Sequence, residues 1–144
     1  MLVAMTPVDT PQNPLAASLL SLGDRWTLLI VNALLGGPKR FGDLQSEVGG
    51  IAPNILTQRL RDLEADGLVA AAPYSKRPVR LTYSLTGAGE QLHTVIHALT
   101  EWSIARTGGE PLSHQACGTP LELRAWCPTC ERVVSDDEDG LHHL

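Results

Sequence analysis

The stretch Phe41–Leu85, FGDLQSEVGGIAPNILTQRLRDLEADGLVAAAPYSKRPVRLTYSL, decides the fold of this chain. Phe41, Leu44 and Val48 fall on one helical stripe and predict a short helix over Phe41–Val48. Gly49-Gly50-Ile51-Ala52 then makes a tight turn, with Ile51 as its apolar plug. Leu56, Leu60 and Leu63 recur at helical spacing and predict a second helix over Pro53–Ala65, with Pro53 in its first turn and Asp66-Gly67 at its end. Two strands follow, Leu68–Ala72 and Val79–Leu85, joined by a loop over Pro73–Pro78. In the second strand Val79, Leu81, Tyr83 and Leu85 alternate with Arg80, Thr82 and Ser84, the mark of a half-buried strand. Helix, tight turn, helix and basic ribbon, in that order, is the plan of a winged helix-turn-helix. The expected fold class is mainly α with a small β-wing, plus a small Cys/His-rich C-terminal extension.

Upstream of that stretch, residues 1–14 contain Pro7, Pro11 and Pro14 and read as loose, with a flexible arm expected over 1–11. Leu15–Leu22 reads as a first short helix ending at Gly23. Asp24 is a good N-cap for a second helix reaching Leu35, where Gly36-Gly37-Pro38 stops it. That second helix is apolar on nearly every side and is expected to be buried. Downstream, Thr86 caps a last long helix reaching about Arg106, with Leu92, Val95, Ile96, Leu99 and Trp102 along one side. Gly108-Gly109 marks a boundary, giving a main domain over 12–108 and a tail over 109–144.

The net charge of −5 conceals an uneven distribution. Residues 1–106 carry nine Lys/Arg and nine Asp/Glu, whereas residues 107–144 carry two bases against seven acids. Within 37–80 the count is seven bases to five acids, with Lys76, Arg77 and Arg80 grouped at the wing. Placement matters more than the total, because phosphate contacts act within a Debye length of about 8–10 Å.

A helix that enters the major groove buries one face and presents hydrogen-bonding side chains on the other. With Leu56 set toward the core, the opposite side of Pro53–Ala65 carries Asn54, Gln58 and Arg61, with Thr57 at its edge. Asn and Gln suit adenine edges, Arg suits guanine, and Thr can meet a phosphate or a thymine methyl. Arg59 lies on a flank nearer the core, as a phosphate contact or an internal ion pair. Lys76 and Arg77 lie on a hairpin tip that can reach a minor groove or flanking phosphates. The expected partner is double-stranded DNA. An enzyme is not expected, since no phosphate-cradling loop, paired carboxylates around a pocket or Ser-His-Asp pattern stands out.

Several blocks in this order resemble the HxlR-type transcriptional regulators, winged helix-turn-helix proteins related to the MarR type. They are Leu22–Ile30 (LGDRWTLLI), Arg40–Leu44 (RFGDL), Leu56–Glu64 (LTQRLRDLE), Asp66–Val69 (DGLV) and Tyr83–Gly89 (YSLTGAG), so the resemblance spans roughly residues 12–108. It implies a homodimer on an inverted-repeat operator, with dimer contacts from the first and last helices of the domain and recognition through 53–65 and the wing at 73–78. The apolar helix 24–35 and the broad stripe on 86–106 support a dimer independently, being more apolar surface than about 95 residues easily cover. One departure is plain. Several members resemble thiol sensors with a cysteine ahead of the first helix, where this chain reads Pro11-Gln12-Asn13-Pro14.

The tail carries a second signal. His114-Gln-Ala-Cys117 and Cys127-Pro-Thr-Cys130 are two ligand pairs nine residues apart, and such pairs suit the knuckles of a tetrahedral zinc site. Little apolar material follows Gly108, so the tail needs a staple. The expectation is a structural Cys3His zinc site, with Leu121, Leu123 and Ala125 alternating against Glu122, Arg124 and Trp126 as in a small hairpin between the pairs. Three other readings stay open: a redox-active Cys127–Cys130 pair, His142 or His143 in place of His114, and a metal-free solvated tail. The alternative function is thus a thiol-redox or metal-responsive protein acting through the tail. No organic cofactor is indicated, and the sequence does not identify a small-molecule effector. No basic leader opens the chain and Trp26–Leu35 is too short to span a bilayer, so the expected setting is cytoplasmic, without a membrane partner.

Overall fold

Asn13 opens the structure, a computed structural model that describes residues 13–134. Its side chain accepts hydrogen bonds from the backbone N–H groups of Leu15 (2.8 Å) and Ala16 (3.3 Å), capping helix α1, Pro14–Leu22. The order after α1 is α2 (Thr27–Leu35), β1 (Lys39–Arg40), α3 (Phe41–Val48), α4 (Pro53–Ala65), β2 (Val69–Lys76), β3 (Val79–Leu85), α5 (Gly87–Glu90), α6 (Leu92–Thr107), β4 (Ala125–Cys127) and β5 (Arg132–Val134). Two compact units divide the chain, one closing at Ile96 and the other starting at His97. The arm at 1–11 lies outside the described residues, as do the acids of 136–139 and His142 and His143.

The core of the first unit is built from three helices and the base of the wing. Ile30, Val31, Ala33 and Leu34 of α2, Leu44 of α3, Leu56, Leu60 and Leu63 of α4, Ile51 of the turn and Val69 of β2 are all buried. Trp26, Phe41, Val48, Leu68, Tyr83, Leu85, Leu92 and Ile96 pack around them, half-buried. The stripe expected on α4 and the plug at Ile51 are therefore core, while the α3 stripe buries Leu44 and packs Phe41 and Val48 at its margin.

Helix α2 differs from the expectation in two ways. It starts at Thr27 rather than at Asp24, yet Asp24 still caps it: its Oδ1 accepts from the N–H groups of Trp26 (2.8 Å) and Thr27 (3.1 Å), and its Oδ2 accepts from the Thr27 hydroxyl. It is also not buried all round, because Leu29 is 45% exposed and Asn32 faces solvent. Core packing on one side satisfies the helix and leaves an apolar residue outward.

The wing is longer and its connection shorter than the sequence suggests. Residues Pro73–Lys76, expected as loop, continue β2, and Arg77-Pro78 alone make the turn, through a cis peptide bond. The sheet order is β1-β3-β2, all antiparallel. Strand β2 lies at the sheet edge, where a proline is tolerated, and Pro73 stands in it opposite Leu81. The register then shifts between Pro73 and Ser75, so that Tyr74 is the extra residue of a bulge. Strand β1, two residues long and undetectable as a pattern, pairs Lys39 with Tyr83 and Arg40 with Thr82.

The last helix is interrupted rather than continuous. Thr86 caps α5 as expected, accepting from the Gly89 N–H at 3.2 Å, and its hydroxyl donates to the Gly67 carbonyl at 2.6 Å. The chain breaks at Gln91 before α6 begins. Gly89 explains the placement: a Cβ there would lie 2.1 Å from the Leu68 carbonyl oxygen, so only glycine lets this turn cross so close to the wing's base.

Candidate nucleic-acid interface

Helix α4 is fixed from behind by Leu56, Leu60 and Leu63, which directs Asn54, Gln58 and Arg61 to solvent and leaves Thr57 half-buried. This is the distribution expected from the sequence. The hydrogen bonds add detail that periodicity lacks. The Thr57 hydroxyl donates back to the Pro53 carbonyl at 2.8 Å. Gln58 donates from Nε2 to Oδ1 of Asp62 at 2.8 Å. Arg59, which had two possible roles, is an ion-pair residue: it meets Asp24 at 3.5 Å and Asp62 at 3.1 Å. Burial alone would raise the Asp24 carboxyl, but the Thr27 hydroxyl, the Trp26 and Thr27 amides and Arg59 together hold it below the usual carboxylate range.

On the wing, Lys76, Arg77 and Arg80 are all exposed, as grouped in the sequence. Lys76 is now a strand residue opposite Val79, and Arg80 stands opposite Ser75. Sequence reasoning missed two partners. The bulge presents Tyr74, 42% exposed, and the Arg40 guanidinium sits 4.3 Å above its ring. No local signal could find this pair, because it depends on β1 joining the sheet. At the wing's base, burial pushes the Tyr83 phenol up, Glu64 adds to that, and Arg61 opposes it. Arg61 thus shares an electrostatic neighbourhood with the sheet. Beside it, Phe41, Tyr74, Val79, Arg80, Leu81 and Tyr83 line an open cleft of about 410 Å³.

The tail departs from the expected hairpin between the ligand pairs. Each pair instead occupies the turn of its own hairpin. The first is closed by Ser113 bridging Pro120, by His114 N–H donating to the Thr119 carbonyl (2.8 Å), and by Leu121 N–H donating to that of Leu112 (2.7 Å). The second is β4–β5, with Cys127 opposite Arg132. The turns at the knuckles, not the alternation between them, reverse the chain. His114 Nδ1 lies 3.3 Å from Cys117 Sγ, and the Cys130 N–H donates to Cys127 Sγ at 3.4 Å. The hydroxyl and backbone of Thr119 hold the Cys117 thiol below its ordinary value, and the amide and thiol of Cys130 do the same for Cys127. Among the described residues, no three His, Cys, Asp or Glu side chains gather at one point, so the four donors stand as two pairs.

Among the described residues no single helix is long and apolar enough to cross a membrane. The family model of the HxlR-like helix-turn-helix matches residues 21–109. The chain is 40% identical over 119 residues to the HTH-type transcriptional regulator Rv3095 of Mycobacterium tuberculosis, covering 79% of this chain and 75% of that one. Among solved structures, PA1607, assigned as a transcription factor, superposes with a TM-score of 0.75 at 27% identity, over 96% of this chain and 100% of its own. The reduced form of the transcriptional regulator YodB from Bacillus subtilis gives a TM-score of 0.58 at 29% identity, over 74% of this chain and 100% of its own, and the diamide-treated form of YodB gives 0.54. A buried helix-turn-helix, a basic wing and this family match agree, and the chain belongs to the HxlR-like helix-turn-helix family of transcriptional regulators.

Proposed function

We propose that this regulator acts as a homodimer that reads an inverted-repeat operator in double-stranded DNA. The observation that carries the proposal is the division of α4: three leucines fully buried on one side, and Asn54, Gln58 and Arg61 exposed on the other. In this reading α4 enters the major groove and contacts base edges through Asn54, Thr57, Gln58 and Arg61, while Lys76 and Arg77 hold the flanking backbone.

Dimerisation is supported by apolar surface that one chain leaves uncovered. None of the nine residues of α1 is buried, and Leu15, Leu19 and Leu20 are exposed, Leu20 by 75%. On α6, Val95, Leu99 and Trp102 are exposed as well, Trp102 by 63%. A two-fold partner would cover such surface and set two reading helices about one DNA turn apart, ~34–36 Å. The test is in vitro selection of duplexes from a random library, with the molar mass of the free protein measured by light scattering. An enriched palindrome and a mass of two chains are expected. Uniformly weak binding to all duplexes would overturn specific reading, and a monomer would overturn the dimer.

A second reading, response to thiol oxidation, is favoured by the likeness to YodB, solved in reduced and diamide-treated forms. Here it would run through the tail, because the three cysteines of this chain are Cys117, Cys127 and Cys130. Diamide treatment that changes operator affinity in the unaltered chain, but not in Cys127→Ser, is the expected result. Equal affinity before and after treatment removes this reading and leaves DNA recognition untouched.

A further inference from the structure

His114, Cys117, Cys127 and Cys130 lie outside the helix and wing proposed to read DNA. We propose that the two hairpin turns are halves of one structural zinc site, filled by His114 Nδ1 and the Sγ atoms of Cys117, Cys127 and Cys130, and that the ion joins the two hairpins.

The first half is at ligand spacing already. Zinc bonds of about 2.3 Å to sulfur and about 2.0–2.1 Å to nitrogen, at the tetrahedral angle, place the two donors about 3.6 Å apart. His114 Nδ1 and Cys117 Sγ are 3.3 Å apart. The Thr119 hydroxyl, 3.2 Å from the same sulfur, can turn its proton toward a thiolate and support it as an outer partner.

The second half shares one backbone feature with the first. In each, the residue directly after the last donor adopts the left-handed conformation, Gly118 at φ 72° and Glu131 at φ 51°. Glycine does this freely, whereas glutamate does it uncommonly. In the first turn the N–H groups of Cys117 (3.2 Å) and Gly118 (2.7 Å) fold back on the His114 carbonyl. In the second, the Cys130 N–H points at Cys127 Sγ, the donor a thiolate requires.

Among the described residues the large apolar side chains of the two hairpins lie mostly in the open. Leu121, Leu123, Trp126 and Val133 are exposed, Trp126 by 60%. Two hairpins without a core need a metal or a cross-link to define one arrangement. Nine residues separate Cys117 from Cys127, enough chain at about 3.3 Å per residue for the pairs to close on one ion. Binding releases the protons of three thiols to solvent and leaves a four-ligand centre of net charge −1. With four protein ligands there is no open position for water, so the role is structural.

The test uses the full chain, loaded with zinc and dialysed, with metal content, proton release and cobalt-substituted spectra measured. One zinc per chain, three protons released per ion and a tetrahedral thiolate–cobalt spectrum are expected, and Cys117→Ser and Cys127→Ser should each lose the ion. A metal-free chain, one ion per two chains, or full zinc retention by Cys117→Ser overturns the proposal. Should a variant also lose helix content, cobalt titration of the unaltered chain decides alone. Operator binding is measured in parallel, and since the reading helix and wing contain none of the donors, failure here leaves DNA recognition standing.

Discussion

Gln58 and Asp62 are joined on the outer side of α4, Nε2 to Oδ1, at 2.8 Å. The same carboxylate receives Arg59, and Arg59 continues to Asp24 at the start of α2. One polar chain therefore runs from the reading face to the cap of a core helix. With one Nε2 hydrogen engaged by Asp62, Gln58 keeps its second N–H and its carbonyl oxygen for a base, the oxygen suited to adenine N6 or cytosine N4. Asp62→Ala frees the amide to rotate. Selection of bound DNA should then show broadened preference at that one position, with an unchanged salt dependence.

Arg61→Ala removes the long donor from the exposed face. Affinity for the selected operator should fall by about 1–3 kcal/mol, while binding to random duplex changes little. Competition titrations against both DNAs check this. Equal losses on the two would reassign Arg61 to the phosphate backbone.

Lys76→Ala combined with Arg77→Ala acts on affinity without altering sequence preference. Each phosphate contact contributes about 0.9 to the slope of log K against log salt, so the double variant should lower its magnitude by roughly 1.8. The measurement is binding across a salt series. An unchanged slope would place the wing away from DNA.

Tyr74→Ala leaves the Arg40 guanidinium without the ring beneath it. At an exposed site the loss should be modest, about 0.5–1 kcal/mol of unfolding free energy. Denaturant titration beside Tyr74→Phe, which keeps the ring and the stability, separates stacking from the phenol hydroxyl.

Asp24 makes stability sensitive to acid. Its folded carboxyl sits below the ordinary value, so its contribution is complete above the unfolded pKa of about 3.9 and is lost as pH falls through the depressed folded value. Asp24→Ala should cost about 1 kcal/mol at neutral pH, as lost caps do, and should flatten the acid limb below about pH 4. Asp24→Asn keeps the cap but not the Arg59 pair, a part-exposed ion pair contributing about 0–1 kcal/mol. Thermal melts across pH compare the three.

The sequence by itself determined the helix-turn-helix pair, the faces of α4 and the family, because these rest on short-range rules. Apolar spacing selects which side is buried, and caps and glycines mark the ends, so Phe41–Val48 and Pro53–Ala65 were legible to the residue. Tertiary structure alone decided what depends on distant backbone. It recruited Lys39–Arg40 into the sheet, carried β2 past Pro73 because that strand lies at an edge, and used the bulge at Tyr74 to meet Arg40. It also turned the flanking Arg59 into a bridge between Asp24 and Asp62, a choice periodicity cannot make. In the tail the sequence supplied four donors at metal spacing, and the fold assigned each pair its own hairpin turn. Local pattern fixes which face a residue takes, but its partner across space follows only when the chain has closed around the core.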